Sequence, residues 1–506
     1  MQNTAKLPPN LPSAHKQIRS LERELEYLRE QLRLTKLKFF GRSSEKRPLE
    51  SSSAQELLFT SPAPETTTAP KTEKVSYERT KRKTVEGKLP EGTRFPEHLP
   101  RKDEIIDEGE GEVKFEKVTE RLAANGSPFY VKRIIRRIRS KEGSLKSPPV
   151  PSAVIENTSA DVSFLVYVLI AKYVWHLPIY RQEQILKAQG IKISRDTLIR
   201  YVITLASLLK PIYVALGVEL FSGTHLFADE TPVLVGKGEH GNKQYSQSWF
   251  WNFLGATGCA FYYTNSRAFA SVEPLIHSFT GDLQVDGYSV YERLSSTYPE
   301  ITLIGCWAHA RRKFVDAEQG ASADLAKEGL RYIRALYRVE TRIMDQQLKP
   351  PDILRLRQRF SEKILRLFER WLKKVAQDPN LLPKSLFSAA VSYARKRWDA
   401  LCRYVENPAL AIDSNAVERQ IRPVALGKKN WLFCASEVGA EASAIIYSLI
   451  ASCKLADIDP AEYLTDVLER ISEHPASKVI DLIPLNWKRM RQEEQNSANA
   501  RLSQAA

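Results

Sequence analysis

At 506 residues the chain exceeds what one hydrophobic core serves, so several domains are expected. Its 43% hydrophobic and 27% charged residues suit a globular protein with core to spare. No uninterrupted apolar run reaches the length of a spanning helix and the N-terminal stretch has no signal-peptide core, so the expected location is the cytoplasm, with no membrane partner. Basic residues outnumber acidic ones 75 to 60, a net charge of +15 that points to a polyanion, nucleic acid first; five scattered cysteines with no CxxC pair exclude a disulfide framework and a zinc ribbon.

In chain order, Ile18, Leu21, Leu25, Leu28 and Leu32 recur at three-four spacing within residues 1–48. This predicts a short coiled coil or an amphipathic docking helix, and a helix packed on its own chain reads equally well. Residues 49–94 are rich in Ser, Thr, Pro and charge, cannot bury enough surface to fold, and are read as a flexible linker. A small basic region, 95–150, contains the run "FYVKRIIRRIRSK". Alternation in "YVKRI" suits a strand, whereas Ile134, Ile135 and Ile138 suit a helical turn. Its cations could contact phosphates, although a solvated face is the commoner reason for such a run.

Residues 151–222 are helical in period. "RQEQILKAQGIKISRDTLIRYVITLA" has the layout of a helix-turn-helix, with Gly190 at the turn and Ser194 or Asp196 as N-cap. Helical hairpins of this shape are common without DNA; Arg195 and Arg200 on the second helix are its DNA-binding candidates.

From 223 to 317 the period changes. "HLFADETPVLV", "QSWFWNFLGAT" and "CAFYYTNS" read as three strands, followed by a helix, a fourth strand in "GDLQVDGYSV", a helix, and a fifth strand in "ITLIGCWAHA". That order is the one of a ribonuclease H-like α/β domain. Residues 318–405 are helical throughout and read as an all-helical insertion, whose Trp371, Trp398 and Tyr404 are assigned to its core. The α/β domain resumes at 406–446, and a C-terminal helical segment, 447–506, is expected to pack against it.

Asp229 and Glu230 fall at the end of the first strand, where neighbouring side chains face opposite ways, so only one can easily face a shared site. Asp286 falls near the end of the fourth strand, with Gly287 letting the backbone leave the sheet. In a ribonuclease H-like sheet these strands are neighbours, and two carboxylates that close repel unless cations lie between them. This is the reason to expect Mg²⁺ (or Mn²⁺), with two ions in the site. Glu418, one turn into a short helix capped by Ser414 or Asp413 and ended or kinked by Pro423, is the third acid. Asn415 shares its face, and Arg419, Arg422, Lys428 and Lys429 surround it as phosphate candidates. Read alone, Glu418 and Arg422 make an ordinary i,i+4 surface pair. Cys306 and His309 in "GCWAHARRKF" share a helix face and are supporting candidates; packing is the favoured role of Cys306, and Arg311, Arg312 and Lys313 are the better phosphate contacts.

"FADETPV", "QVDGYSVY", "GCWAHARRKF", "NAVERQIRPVALGKKNWLF" and "EHPASKVIDLIPLNW" together resemble, in order and wording, the DDE transposases of the bacterial insertion-sequence 66 family, over roughly Pro96 to Trp487. The resemblance implies a ribonuclease H-like fold, divalent metal, Asp229, Asp286 and Glu418 as catalytic triad, and cut-and-join chemistry at element ends. It implies DNA partners, both element ends and target, a homo-oligomer, and small accessory proteins of the same element. Many relatives carry a zinc ribbon before the helical segment; residues 100–150 here hold neither Cys nor His, so no zinc is expected. A non-catalytic DNA-binding protein and another ribonuclease H-like nuclease are the rival readings.

Overall fold

The computed structural model describes residues 95–505 apart from 108–111, 125–128, 142–143, 150, 152 and 238–243, together with Glu22 and Arg29. The predicted N-terminal coiled coil and linker thus lie outside the described residues.

The basic run resolves as strand. β1 (Arg101–Ile106), β2 (Glu112–Ala124), β3 (Phe129–Lys141) and β4 (Ser144–Lys146) form one sheet in which β3 is central, parallel to β1 and antiparallel to β2 and β4. Register decides what the cations meet. Lys132 pairs with Glu104 at 2.7 Å, Arg133 with Asp103 at 3.4 Å, and Arg137 with Glu116 at 3.1 Å. Arg139 bonds Asp107 at 2.6 Å and is the main reason that carboxyl is held down to about 2. Much of the run's charge is matched by acids of the neighbouring strands.

α1 (Val162–Tyr173), capped by Asp161, is buried along most of its length. α2 (Ile179–Ala188) and α3 (Arg195–Phe221) form the expected hairpin. Gly190 turns it at φ +72°, and a Cβ there would press on Pro96 at 3.2 Å. Ser194 is the N-cap, accepting from the Thr197 amide. Beyond the hairpin α3 runs on for 27 residues in all, and its Leu205, Leu209, Ile212 and Leu216 join the main core.

The second sheet holds β5 (His225–Lys237), β6 (Gln244–Gly255), β7 (Gly258–Thr264), β8 (Gly281–Gln284) and β9 (Ile301–Ile304) in the order β7-β6-β5-β8-β9. β5, β6 and β7 pair antiparallel, whereas β5–β8 and β8–β9 are parallel. Alternation along β5 sorts its residues: Leu226 and Ala228 pack with α4 (Phe269–Ile276) and α5 (Ser289–Thr297), while Val233 and Val235 face the opposite core with α3.

α6 (Trp307–Ala317), α7 (Ala323–Asp345), α8 (Pro350–Leu356), α9 (Glu362–Ala376), α10 (Leu386–Lys396) and α11 (Trp398–Cys402) build a separate core around Trp307, Phe314, Phe368 and Trp371. Trp371 and Tyr404 are buried and Trp398 packs edge-on against Trp307. Arg357, buried in a π-helical turn, donates to the carbonyls of Tyr404, Asn407 and Leu410 and pairs with Glu340 at 2.7 Å. It thereby fixes the segment that returns the chain to the second sheet.

α12 (Asn415–Trp431), α13 (Glu437–Leu455), α14 (Pro460–Arg470) and α15 (Pro484–Ala505) complete the chain. Pro423 does not end α12, contrary to the first of its two readings from sequence. The buried stripe Val417, Ile421, Val424 and Gly427 packs on β5 and β6, and that burial outweighs the roughly 3 kcal/mol penalty of an interior proline. The β7 edge is closed by α13, whose Ser452 and Ser448 hydroxyls accept from the Cys259 and Phe261 amides at 3.0 and 2.8 Å. α3 and α13 are long and apolar enough to cross a bilayer by length and composition, but 72% of the α13 window is buried and both line the main core.

Candidate acidic site on the central sheet

The two adjacent acids lie in the middle of β5 rather than at its end. Parallel pairing with β8 stops at Phe227↔Gln284, while pairing with β6 continues to Lys237, so the strand outruns one neighbour but not the other. Asp229 therefore sits where β8 has just left the sheet. Asp286 follows two residues after β8, its Oδ1 accepting from the Tyr288 amide at 2.8 Å. Gly287 is required by close approach rather than by a special φ. A Cβ there would run into Arg397 and Tyr393, and Arg397 donates to the Gly287 carbonyl at 2.6 Å.

Glu418 comes from the first turn of α12, and several bonds position that turn. Gln284, buried in β8, donates to the Ala411 carbonyl at 2.7 Å, and the Trp307 amide donates to Ile412 at 3.1 Å. The Ser414 amide donates to Cys306 Sγ at 3.2 Å. Asp413 accepts from the Asn415 amide and side chain and from the Tyr337 hydroxyl, a cap that occupies it fully. From the sheet side, Asn252 lies opposite Asp229 on β6, donates to the Val417 carbonyl at 3.4 Å and accepts from Cys259. Cys306 is thus buried and structural, its thiol pushed up to about 11 chiefly by burial.

Asp229, Asp286 and Glu418 share one electrostatic environment. Burial is the main cause that pushes Asp229 up to about 8, and Glu230, Asp286 and Glu418 push the same way; the Glu230 amide, donating to Asp229 Oδ1 at 2.8 Å, works against them. His309 lies beside this site, with Nδ1 at 3.7 Å from Glu418 Oε1. Both atoms are buried without a hydrogen-bond partner. Burial pulls the His309 pKa down, so the ring is neutral at pH 7. Arg312 Nη2 lies 3.8 Å from Glu418 Oε2.

Glu230 has a different environment on the other face. Only 1% of its side chain is exposed; Oε1 accepts from Arg267, through Nε at 2.9 Å and also through Nη2, and Oε2 from the Tyr291 hydroxyl at 2.8 Å. The Arg267 guanidinium is stacked between Tyr288, 3.8 Å from the ring centroid, and Trp249, at 4.8 Å. Tyr288 donates its hydroxyl to the Arg267 carbonyl. Burial still raises the Glu230 pKa, and the bonds from Arg267 and Tyr291 work against that rise.

The basic candidates separate. Lys428 is tied to β5 through Thr231 Oγ1 at 2.8 Å and the Pro232 carbonyl at 2.6 Å. Arg419, Arg422 and Lys429 lie exposed on the outer side of α12, and Lys313 is exposed on α6, where Arg311 and Arg312 are half-buried. Arg195 pairs with Glu183 and stacks on Tyr180, and Arg200 donates to Thr197. Arg195 lines a cavity with Asn430 and Trp431 at the far end of α12, thirteen residues or about 20 Å along the helix from Glu418. The structure does not bring Arg195 to the acids. Asn252, Gln284, Arg267 and Tyr291 were missed from sequence, although a lone Asn inside "SWFWNFLG" and a lone Gln inside "DLQV" were the signal: polar residues in apolar strands must find buried partners.

With this geometry in view, comparison with known proteins is direct. The model of the transposase IS66 family matches residues 157–442, that of the IS66 C-terminal element matches 448–485, and one described as transposase C of IS166 homeodomain matches 27–103. Uncharacterized protein y4jD of Sinorhizobium fredii is 31% identical over 420 residues, covering 78% of this chain and 81% of that protein. Uncharacterized protein y4qI of the same organism is 31% identical over 426 residues, covering 78% and 77%. The chain belongs to the IS66 family of transposases. Membership implies a transposition-related function and, in general, nuclease or transposase activity on DNA.

Proposed function

We propose that the protein cleaves DNA at the ends of its insertion element and joins the freed 3′ ends to target DNA, with Asp229, Asp286 and Glu418 as the catalytic acids of a ribonuclease H-like core interrupted by the helical block at 318–405. The observation that carries this reading is that carboxylates from β5, the end of β8 and α12 lie near enough for Asp286 and Glu418 to add to the burial and the Glu230 charge that push Asp229 up to about 8. Sheet order and strand directions support the fold assignment, since the acid-bearing first and fourth strands are hydrogen-bonded neighbours.

The donor set fits Mg²⁺ or Mn²⁺. All three side chains offer oxygen, and Glu418 Oε1 is buried with no hydrogen-bond partner. Among the described residues no three such groups already stand close enough to hold one ion. Bound divalent metal would supply the positive charge that phosphodiester cleavage needs at the attacking and leaving oxygens.

The chain's own residues do the rest. Asn252 and Gln284 fix the start of α12, so Glu418 is held against the sheet by bonds to its backbone neighbours. Arg312, beside Glu418, is placed to meet a phosphate oxygen. The neutral His309 lies beside the acids without adding charge. The test is incubation of purified protein with its labelled element ends, Mg²⁺ and a target plasmid, beside Asp229→Asn. Nicked ends and joined products from the wild type alone are expected; equal products from Asp229→Asn would remove the assignment.

A further inference from the structure

A cavity of about 400 Å³ opens beside the acidic site, lined by Arg311, Arg312 and Ala308 of α6, Arg334, Tyr337, Arg338 and Thr341 of α7, and Asn415 at the start of α12. Four arginines from two consecutive helices converge there. On α7 the contributing residues follow i, i+3, i+4, i+7 spacing, a single face of the helix. The adjoining face, with Leu330, Ile333 and Leu336, is packed into the helical core, so the helix that carries this polar face is fixed beside the cavity.

Two features distinguish this cluster from an ordinary solvated face. Among the described residues no carboxylate pairs with Arg334 or Arg338, in contrast to the matched cations of β3. Near the rim, Asp413 is already bonded by Tyr337 and Asn415, and Glu418 lies 3.8 Å from Arg312. The lining also lacks the apolar floor that a small organic ligand needs, Ala308 being its only purely hydrophobic residue. Guanidinium forks match phosphate oxygens, while the Tyr337 and Thr341 hydroxyls between them already donate to Asp413 and to the Tyr337 carbonyl.

Position supplies the rest. Arg312 lines the cavity and reaches to 3.8 Å from Glu418 Oε2, and Asn415 lines it three residues before Glu418. A DNA strand brought to three carboxylates is repelled along its flanking phosphates, and cations must take up those phosphates just beyond the acids.

We propose that this cleft between α6 and α7 binds the phosphodiester backbone of the DNA strand entering the acidic site, so that the helical block contributes Arg334 and Arg338 to substrate binding. The proposal rests on reading the acidic site as one for DNA strand chemistry, but the binding it describes needs no cleavage. It engages phosphates without regard to base sequence.

The test is fluorescence anisotropy of a short labelled DNA duplex of arbitrary sequence, titrated with full-length protein in EDTA over a range of salt. The variants are Arg334→Ala/Arg338→Ala, the same pair changed to Lys, and Arg366→Ala/Arg370→Ala as an equal charge change elsewhere on the helical block. Both target arginines are exposed, and circular dichroism checks that each variant folds. The alanine pair should weaken binding at least about tenfold and lower the slope of log affinity against log salt by about two, the Lys pair should recover most of the slope, and the Arg366/Arg370 pair should change little. Equal losses from both alanine pairs would overturn the cleft as a site, as would undiminished binding by Arg334→Ala/Arg338→Ala. Polyglutamate displacing the duplex from wild type at matched charge would reassign the cleft to an acidic protein partner. Asp229→Asn separates the two readings: if it cleaves normally while the arginine pair loses DNA, the catalytic assignment fails and the cleft stands; if it loses cleavage while the arginine pair binds normally, the cleft fails alone.

Discussion

The two faces of β5 treat adjacent acids in opposite ways. On one face Glu230 is enclosed, doubly bonded by Arg267 and bonded by Tyr291, with the guanidinium itself stacked between two aromatic rings. On the other, Asp229 receives one backbone bond, from the Glu230 amide, and otherwise meets burial and the fields of Glu230, Asp286 and Glu418. Burial is substantial for both, so the difference lies in what neutralises the charge. An acid whose partner comes with the fold is part of the structure, whereas a cluster of acids without one is a place for a cation to enter.

The largest expected effect separates these faces by activity. Asp229→Asn, Asp286→Asn or Glu418→Gln should each lower end cleavage by at least about a thousandfold, with end binding retained. Glu230→Gln keeps the size and a hydrogen bond to Tyr291, and should stay within about tenfold of wild type. Labelled-end cleavage under single-turnover conditions measures both, and a Glu230→Gln loss as deep as that of Asp229→Asn would erase the distinction.

A second experiment reverses the ranking. Arg267→Ala leaves the Glu230 carboxylate buried beside one tyrosine, which should cost about 3 kcal/mol of stability. Glu230→Gln/Arg267→Ala should regain part of that, because no charge then remains to be matched. Urea unfolding of the single and double variants reads this, and simple additivity would mean that the pair is not coupled. The same cycle built on Asp229 has no arginine to remove.

Much of this was legible in the sequence, and the reasons differ by element. The three acids stand in strongly patterned surroundings, an apolar strand, a strand-to-loop exit and a capped helix start, so local pattern located them. Asp229 was placed at a strand end because the acids interrupt the apolar run; pairing with β6 carries the strand eight residues further, a long-range fact that local pattern cannot hold. Pro423 misled for the same reason, since tertiary burial of Val417, Ile421 and Val424 overrides its penalty. The basic run of β3 is the clearest lesson about charge. It is a dense cation stretch, yet register lays it beside Asp103, Glu104, Asp107 and Glu116, while Arg334 and Arg338, unremarkable in sequence, line a cleft and pair with no carboxylate among the described residues.

The smallest expected effect tests the Asp229 face without any DNA. The carboxyl has a folded value of about 8 against 3.8 for the unconstrained group, so the folded protein holds this proton where the unfolded chain has released it. Its contribution to stability is fully present below about pH 4 and is lost as pH rises toward 8, the reverse of an acid held by a salt bridge. Other groups titrate over the same range, so the useful quantity is the difference between wild type and Asp229→Asn in EDTA. Asn cannot ionise; the variant should therefore gain on wild type steadily from pH 5 to 8, by roughly 1–3 kcal/mol once solvent access to the carboxyl is allowed for. Millimolar Mg²⁺ at pH 8 should raise the wild-type Tm and leave Asp229→Asn nearly unmoved, because an ion that binds the folded carboxylate cluster stabilises it by mass action. Glu230→Gln should keep the Mg²⁺ response, since its carboxylate already has Arg267. Parallel wild-type and Asp229→Asn curves across this range, or equal Mg²⁺ shifts in both, would mean that the two faces of β5 are electrostatically alike.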